Sequence, residues 1–382
     1  MASVYGIIKR TYLGMRPPIV SPLPDSKPLK FGILGAAAIA PNALLTPAKS
    51  HPEAVVVAVA ARSKAKGDEY ARKHGIAKVY GGPAGYQEML DDPEIDVIYN
   101  PLPNGLHFEW TMKALAAGKH VLLEKPAANT AEEIRQMFEL AERKNLVLLE
   151  AFHYRFHPAV QRVKAIIDSG ELGPLKSMQT SLAFHLGYFK PGDIRFDYSL
   201  GGGSLMDMGC YNISAMRFFA GGDPTSVLSA THELDSPQVD RQTSATLVFP
   251  GGVTGTTFCD FGMPPYLKLI PRLPRLGAVI ECEGGRIAMM NYVMPTMYHS
   301  ITVTPQKGKR RVEKVYTFPT LGEPWWSTYR YQLEAFVNKV KGRTPQAWIA
   351  KEDSIANLAA IESIYAKTGL GSRPKSGFIP TL

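Results

Sequence analysis

Leu29-Lys-Phe-Gly-Ile-Leu-Gly-Ala-Ala-Ala-Ile-Ala40 decides the fold. A short apolar run, Phe31–Leu34, meets a glycine, and a string of small residues leads into a helix whose first turn carries Pro41. Gly35-Ala36-Ala37-Ala38-Ile39-Ala40 is a degraded G-x-G-x-x-G/A turn in which Ala37 stands at the second glycine. The first glycine permits the tight turn, and small side chains let the backbone approach a pyrophosphate at the helix N-terminus. An ordinary strand–helix turn reads the same in isolation, so its surroundings decide between the two.

Moving outward, Ala54–Ala60 is a continuous β-rich apolar run of the kind expected of a strand buried on both faces. Asp96–Tyr99, His120–Leu123 and Leu146–Leu149 are three more. Helices are expected over Ser63–His74, 107–118 and 130–144. The first opens on a serine N-cap, the last on Thr130 with Glu133 three residues on. Strand and helix alternate over about 120 residues, which implies right-handed crossovers and a parallel, doubly wound sheet. After Glu150 the rhythm changes. A helix over 158–169 ends at Gly170, and the glycines at 201–203 precede a helix running to about 219. Strands at Ser177–Phe184, Thr225–Thr231, Thr243–Phe249, Val253–Phe261, Ala278–Glu283 and Ile301–Thr304 build a largely antiparallel sheet. Helices over 327–341 and 351–368 close the chain. The expected organisation is an arm (1–28), a dinucleotide-binding α/β domain (29–151) and an α+β substrate domain (152–382).

Composition agrees with that division. A chain of 382 residues exceeds one ordinary core, and 45% hydrophobic with 20% charged residues is globular. The formal charge of +9 raises the question of nucleic acid, but the basic residues are scattered. The densest run, Lys307-Gly-Lys-Arg-Arg311, lies between two strand-like segments and reads as a solvated hairpin turn. No nucleic-acid partner is expected; the positive excess suits an anionic cofactor. Cys210, Cys259 and Cys282 are odd in number and far apart, which fits a reducing compartment such as the cytoplasm. No window is apolar enough to span a membrane, and Met1–Arg16 carries Lys9 and Arg10, unlike a secretory signal. Residues 17–28 hold five prolines and read as an extended arm.

The second strand ends in Ala60-Ala61-Arg62-Ser63-Lys64, without the carboxylate that would accept from an NAD ribose. Arg62, Ser63 and Lys66 offer charge-assisted hydrogen bonds to a 2′-phosphate, so NADP is expected over NAD; an exposed basic helix start is the alternative. Two later strands end in Tyr99-Asn-Pro-Leu-Pro-Asn104 and Glu124-Lys125-Pro126. Carboxyl ends of strands face the ligand in such sheets, so Lys125 is expected beside the nicotinamide, donating to the substrate oxygen. Partial burial and the oxidised ring should depress its pKa. In Gly201-Gly-Gly-Ser-Leu-Met-Asp207-Met-Gly-Cys-Tyr211, Asp207 and Tyr211 share a helix face. Taking hydride from a carbinol requires removing the hydroxyl proton, and a tyrosine beside a lysine can do so. The alternative makes Tyr211 a core aromatic capped by Asp207. Tyr154, His185, Phe189, Asp193, Arg195 and Asn212 are nominated for the substrate cleft, each equally open to a structural role. His153 and His157 superficially resemble metal ligands, but His157-Pro158 better starts the next helix, and no metal is expected.

With these residues in hand, the chain resembles the glucose–fructose oxidoreductase / inositol dehydrogenase / rhizopine-catabolism (Gfo/Idh/MocA) family. Within it the chain is most similar to the branch of dimeric dihydrodiol dehydrogenases and NADP-dependent D-xylose dehydrogenases. The resemblance runs from about Leu29 to about Arg373 and rests on motifs in order. They are Phe31–Ala36, Leu102-Pro-Asn104 with His107, Ala117–His120, Glu124–Pro126, Glu150–Pro158, Gly170–Pro174, Gly201–Tyr211 and Glu283–Ile287. It implies a Rossmann domain, an open-faced C-terminal sheet often used for dimerisation, and hydride transfer at a sugar or related alcohol. It also implies that Lys125 is the catalytic lysine, that Lys125–Pro126 is cis, and that Tyr211 stands where other members carry histidine. Pro103, Asn104, Glu124 and Arg155 would line the nicotinamide half, with Pro101, Leu102 and His107 also on the cofactor. Two departures matter: Ala37, and the proline-rich apolar stretch at 263–277, which would roof a less polar substrate or cover a partner subunit. Two other readings keep the fold. One is a non-catalytic nucleotide-binding regulatory protein, against which the intact Glu124-Lys125-Pro126 argues. The other is a glycosidase-like member with tightly held NAD, against which Tyr211 and the NADP preference argue.

Overall fold

The computed structural model describes residues 4–21, 27–190, 192–267, 269–270 and 272–380. Part of the proline-rich arm and two positions of the 263–277 stretch therefore lie outside the described residues. The first sheet has six strands: β1 (Leu29–Leu34), β2 (Ala54–Ala61), β3 (Lys78–Gly81), β4 (Val97–Asn100), β5 (His120–Leu123) and β6 (Leu148–Glu150). They run β3-β2-β1-β4-β5-β6, all parallel, so the chain reverses direction across the sheet between β1 and β4. Their side chains explain the order: Phe31, Ile33, Leu34, Val97, Tyr99 and Leu123 are sealed from solvent, as strands covered on both faces must be. Helices α3 (Lys64–His74), α4 (Gly85–Asp91), α5 (His107–Ala116) and α6 (Ala131–Arg143) cover it. α6 carries a full capping box, Thr130 with Glu133. Between β1 and β2 the helix is irregular, a wide π turn over Pro41–Leu45 running into α2 (Thr46–Lys49). β3 and α4 have no counterpart in the sequence reading. β3 is a four-residue edge strand, half-exposed throughout, too short for any periodicity to register.

The second sheet has eight strands in the order β14-β13-β12-β11-β7-β10-β9-β8. They are β7 (Leu175–His185), β8 (Ser226–Ser236), β9 (Val239–Val248), β10 (Thr254–Met263), β11 (Arg275–Cys282), β12 (Gly285–Met290), β13 (Ser300–Pro305) and β14 (Arg311–Glu313). Every neighbouring pair is antiparallel except β7 and β10. The basic run at Lys307–Arg311 turns between β13 and β14, as its flanks suggested. Along β12, Gly285, Ile287 and Met289 are buried while Arg286 and Met290 are exposed, the alternation of a sheet covered on one face. Helices α7 (Pro158–Asp168), α8 (Cys210–Ala220), α9 (Thr328–Val340) and α10 (Lys351–Thr368) complete this half. His157 accepts from Ala159 N at 3.2 Å and so caps α7.

One peripheral segment packs on the second half, and another ties the two halves together. α1 (Val4–Met15) lies against the loop after β12, with Arg10 Nε donating to Thr296 O at 3.1 Å and its guanidinium 3.9 Å over the Tyr316 ring. It turns Val4, Tyr5, Ile8, Tyr12 and Met15 outward. At the other end, Arg373 is fully buried and donates to Gly202 O and Asp240 Oδ1, both at 2.6 Å. The next residues reach the nucleotide half: Asn129 Nδ2 donates to Pro374 O at 2.8 Å, and Ser376 N donates to Glu133 Oε1 at 2.7 Å. Among the described residues no helix is long and apolar enough to cross a membrane.

Candidate active site

Lys125 leaves the end of β5 through a cis Lys125–Pro126 bond, the geometry that the resemblance implied. Its ammonium donates to Asp207 Oδ1 at 2.8 Å and to the Asp207 carbonyl at 2.9 Å. Asp207 sits on a π turn, Leu205–Gly209, that opens α8. Its other oxygen accepts from Arg195 Nε at 2.8 Å, and Arg195 Nη1 in turn donates to both oxygens of Asp193. The glycines before that turn are needed for space. A Cβ at Gly202 would strike the carbonyls of Arg195 and Asp197, and one at Gly203, whose φ is +131°, would strike Asp240 and Arg373.

The electrostatics correct one expectation. Burial pulls the Lys125 ammonium toward neutrality, but Asp207, Cys210 and Glu124 outweigh it, and its pKa lies above the ordinary value. The depressed lysine anticipated from partial burial is absent because a carboxylate was built directly against it. Asp207 is correspondingly held far below the usual carboxylate range: burial opposes, Lys125 and Arg195 prevail. Beside Lys125, Glu124 is pushed up by burial and accepts from Tyr99 Oη at 2.7 Å.

Tyr211 stands in the first turn of α8 with Lys125 Nζ 5.0 Å from its ring centroid. Its hydroxyl is not capped by Asp207. It meets His153 Nε2 at 3.0 Å, and His153 Nδ1 meets Thr328 Oγ1 at 2.8 Å. Tyr329 lies over the same imidazole, ring centroids 4.0 Å apart. Lys125, Asp207, Tyr211, His153 and Tyr329 line one cavity of about 480 Å³. Apolar side chains complete the lining: Phe184, Tyr188, Phe189, Ile194, Met294 and Met297, with Phe184 and Tyr188 stacked at 4.1 Å.

The cavity continues toward the β1–β4 crevice through Ile39, Pro101, Leu102 and Asn104. Gly35 has φ +81°, and a Cβ there would lie 3.2 Å from Leu102 Cδ2, so the turn is kept open by the absence of a side chain. Ala36 and Ala37 follow, with the Ala37 carbonyl accepting from Tyr70 Oη at 3.1 Å, and Ala40 is buried beneath the turn. Arg62, Ser63 and Lys66 are exposed at the end of β2; Ser63 caps α3, whose first turn holds no acid. A dinucleotide fits these residues: an unobstructed glycine turn at the switch point of the sheet, then a basic, carboxylate-free second strand end. His107 borders the cavity but is committed elsewhere. Its ring nitrogens meet the carbonyls of Pro126 at 2.9 Å and Leu102 at 2.6 Å, and burial pushes its pKa down to about 4. It clamps the two loops that carry Pro103, Asn104 and Lys125.

Four nominated residues take other posts, three of them on helical turns. Arg155 points away from the cavity, pairing with Asp353 at 3.1 Å and stacking 3.9 Å over Phe218. Tyr154 is sealed and donates to Ser214 Oγ at 2.8 Å. Asn212 donates to Thr257 Oγ1 and Phe258 O at 3.0 Å, and accepts from Tyr292 Oη, fastening α8 to β10. In each case one turn of helix or 3-10 helix presents adjacent residues to opposite sides, and the sequence does not say which side is the cleft. His185 turns to the Leu186 carbonyl, 2.9 Å away, whereas Phe189 and Arg195 are on the wall. The sequence reading weighed His153, inside the Glu150–Pro158 motif, only as a metal ligand, and it missed Tyr329, which arrives from a helix with no local signal.

Comparison with known proteins bears on this geometry. Residues 29–152 match the GFO_IDH_MocA oxidoreductase family with its NAD-binding Rossmann fold, and residues 160–288 match the GFO/IDH/MocA C-terminal domain. D-xylose 1-dehydrogenase (NADP(+)) 2 of Haloferax volcanii is 34% identical over 89% of this chain and 98% of its own length. Trans-1,2-dihydrobenzene-1,2-diol dehydrogenase of Sus scrofa is 35% identical over 61% of this chain and 68% of its own. Among solved structures, KijD10, a 3-ketoreductase from Actinomadura kijaniata complexed with NADP and TDP-benzene, superposes with a TM-score of 0.74. It is 26% identical, with 92% of this chain and all of KijD10 covered.

Proposed function

The chain belongs to the GFO/IDH/MocA oxidoreductase family, and from that premise we propose that it is an NADP-dependent dehydrogenase of a sugar or cyclic diol CH–OH group. The activity is of the D-xylose 1-dehydrogenase or trans-dihydrodiol dehydrogenase type. Residues 29–151 form the nucleotide-binding unit and 152–382 the substrate-binding unit, whose half-open sheet serves assembly into a homodimer or larger oligomer. Three free, buried cysteines suit a cytoplasmic site of action.

The observation that carries the reading is the convergence of Lys125 and Tyr211 on one cavity wall, with the ammonium 5.0 Å from the phenol ring. Bound NADP supplies or accepts the hydride. The turn at Gly35, Ala36, Ala37, Ile39 and Ala40 takes its pyrophosphate, and Arg62, Ser63 and Lys66 its 2′-phosphate. Pro101, Leu102, Pro103, Asn104 and Glu124 border the nicotinamide half. Asp207 keeps Lys125 charged and aimed, Lys125 fixes the substrate oxygen, and Tyr211 carries the hydroxyl proton. Phe189, Arg195 and Asp193 border the substrate.

Mixing the protein with NADP and a panel of aldoses and cyclic diols, while following reduced-cofactor absorbance, tests this. A steady rise with at least one alcohol is expected. Tight nucleotide binding without any rise would favour a regulatory protein, and glycoside cleavage without net reduction a glycosidase-like member.

A further inference from the structure

We infer that His153 is a positioning residue that sets the direction of the Tyr211 hydroxyl proton. The inference rests on the functional reading above and extends it to a side chain outside the lysine–tyrosine pair. His153 is 1% exposed, and its two ring nitrogens meet two hydroxyls, Tyr211 at 3.0 Å and Thr328 at 2.8 Å. Each hydroxyl can donate or accept, so one proton on the imidazole decides both bonds. If Nδ1 carries it, Nε2 accepts from Tyr211, and the phenolic proton points into the protein. If Nε2 carries it, His153 donates to the phenolic oxygen, Thr328 donates to Nδ1, and the Tyr211 proton is free to face the cavity. Only the second arrangement lets Tyr211 protonate a substrate oxygen.

The environment keeps the ring neutral, as that switch requires. Burial, and then the Lys125 cation, pull its pKa down to about 3. The other titratable groups facing the pair are Tyr99 on β4, Glu124 beside Lys125, Tyr154 next to His153, Asp207 and Cys210 at the start of α8, and Tyr329 on α9. In the reducing direction, a hydride from the reduced cofactor reaches the carbonyl carbon and the C=O π pair moves to oxygen. That oxygen takes the Tyr211 proton and leaves a phenolate. Lys125 and the His153 Nε2–H then share the new charge, and His153 itself gains or loses no proton. A donor aimed at a phenolate lowers the phenol's pKa.

The test compares His153→Met, which fills the space without a donor, with His153→Gln, which restores an N–H. In the reducing direction His153→Met should lower kcat by about tenfold to a hundredfold, consistent with a misdirected acid. KM and NADP affinity should change less than threefold, and the alkaline limb of the kcat–pH profile should move up by about one unit. His153→Gln should recover most of kcat and return the limb toward the wild-type position. A Met variant with wild-type kcat and pH profile, or a Gln variant no better than Met, overturns the inference. Thermal melting separates folding from chemistry. If the Met variant does not fold, Gln decides alone: a wild-type limb upholds the inference, a shifted limb overturns it. A wild-type enzyme that turns over no substrate sinks the functional reading instead, a distinguishable result.

Discussion

Lys125 has one carboxylate against it and one phenol beside it, and each partner arrives from the same helix start. Lys125→Ala should leave NADP binding within a few-fold of wild type while lowering turnover by about a hundredfold or more, checked by fluorescence titration and steady-state rates. Substantial residual turnover would remove Lys125 from the chemistry. Arg62→Asp should swing the ratio of kcat/KM for NADP over NAD toward NAD by at least about tenfold, since a charge-assisted contact to the phosphate is replaced by repulsion. An unchanged ratio would show that Arg62 does not read the phosphate. The convergence of Lys125, Asp207 and Tyr211 on one cavity was legible because short motifs fix them at strand or helix ends. Arg155, Tyr154 and Asn212 misled because their neighbours in sequence do face the cavity. Orientation around one turn depends on what packs behind it, and composition carries no trace of that.

At the scale of elements, the first sheet was readable wherever strands are buried on both faces, because continuous apolar runs have no other use. It failed at β3, whose four half-exposed residues make an edge, and at α1, where apolar residues face outward instead of into a core. Caps were readable too. Thr130 Oγ1 accepts from Glu133 N at 3.3 Å while Glu133 Oε2 accepts from Thr130 N at 3.0 Å. Thr130→Ala should cost about 1 kcal/mol in urea unfolding and leave KM for substrate unchanged. The corner that joins Gly201–Gly203 to the π turn is a different matter. It was visible as glycines, but its reason, crowding by Asn104, Asn129, Arg195, Asp197, Asp240 and Arg373, is distributed over both halves of the chain.

For the whole molecule, pH acts through Glu150, sealed behind the Pro126–Ala127 loop, where burial raises its pKa to about 7. A carboxyl raised in the folded state favours the fold while both states are protonated. That advantage fades as pH climbs from about 4.5, its ordinary value, to about 7. Stability of the wild type should therefore fall by an amount on the order of 3 kcal/mol across that window relative to Glu150→Gln, whose unfolding curve should lack the slope. Parallel slopes would mean Glu150 is not buried as a neutral acid. The carboxy-terminal strap is equally global. Arg373→Met strands Asp240 in the interior and should cost about 3 kcal/mol, softened by the Ser204, Thr243 and Tyr365 hydroxyls that still donate to it. Because residues 373–376 stitch the glycine corner to the start of α6, the tail is part of the scaffold behind the cavity. An affinity handle fused close behind Ser376, or a protease that nibbles inward past Arg373, would thus loosen Asp207 and dull the enzyme from a distance. Purification strategy is better served by a handle at the opposite terminus.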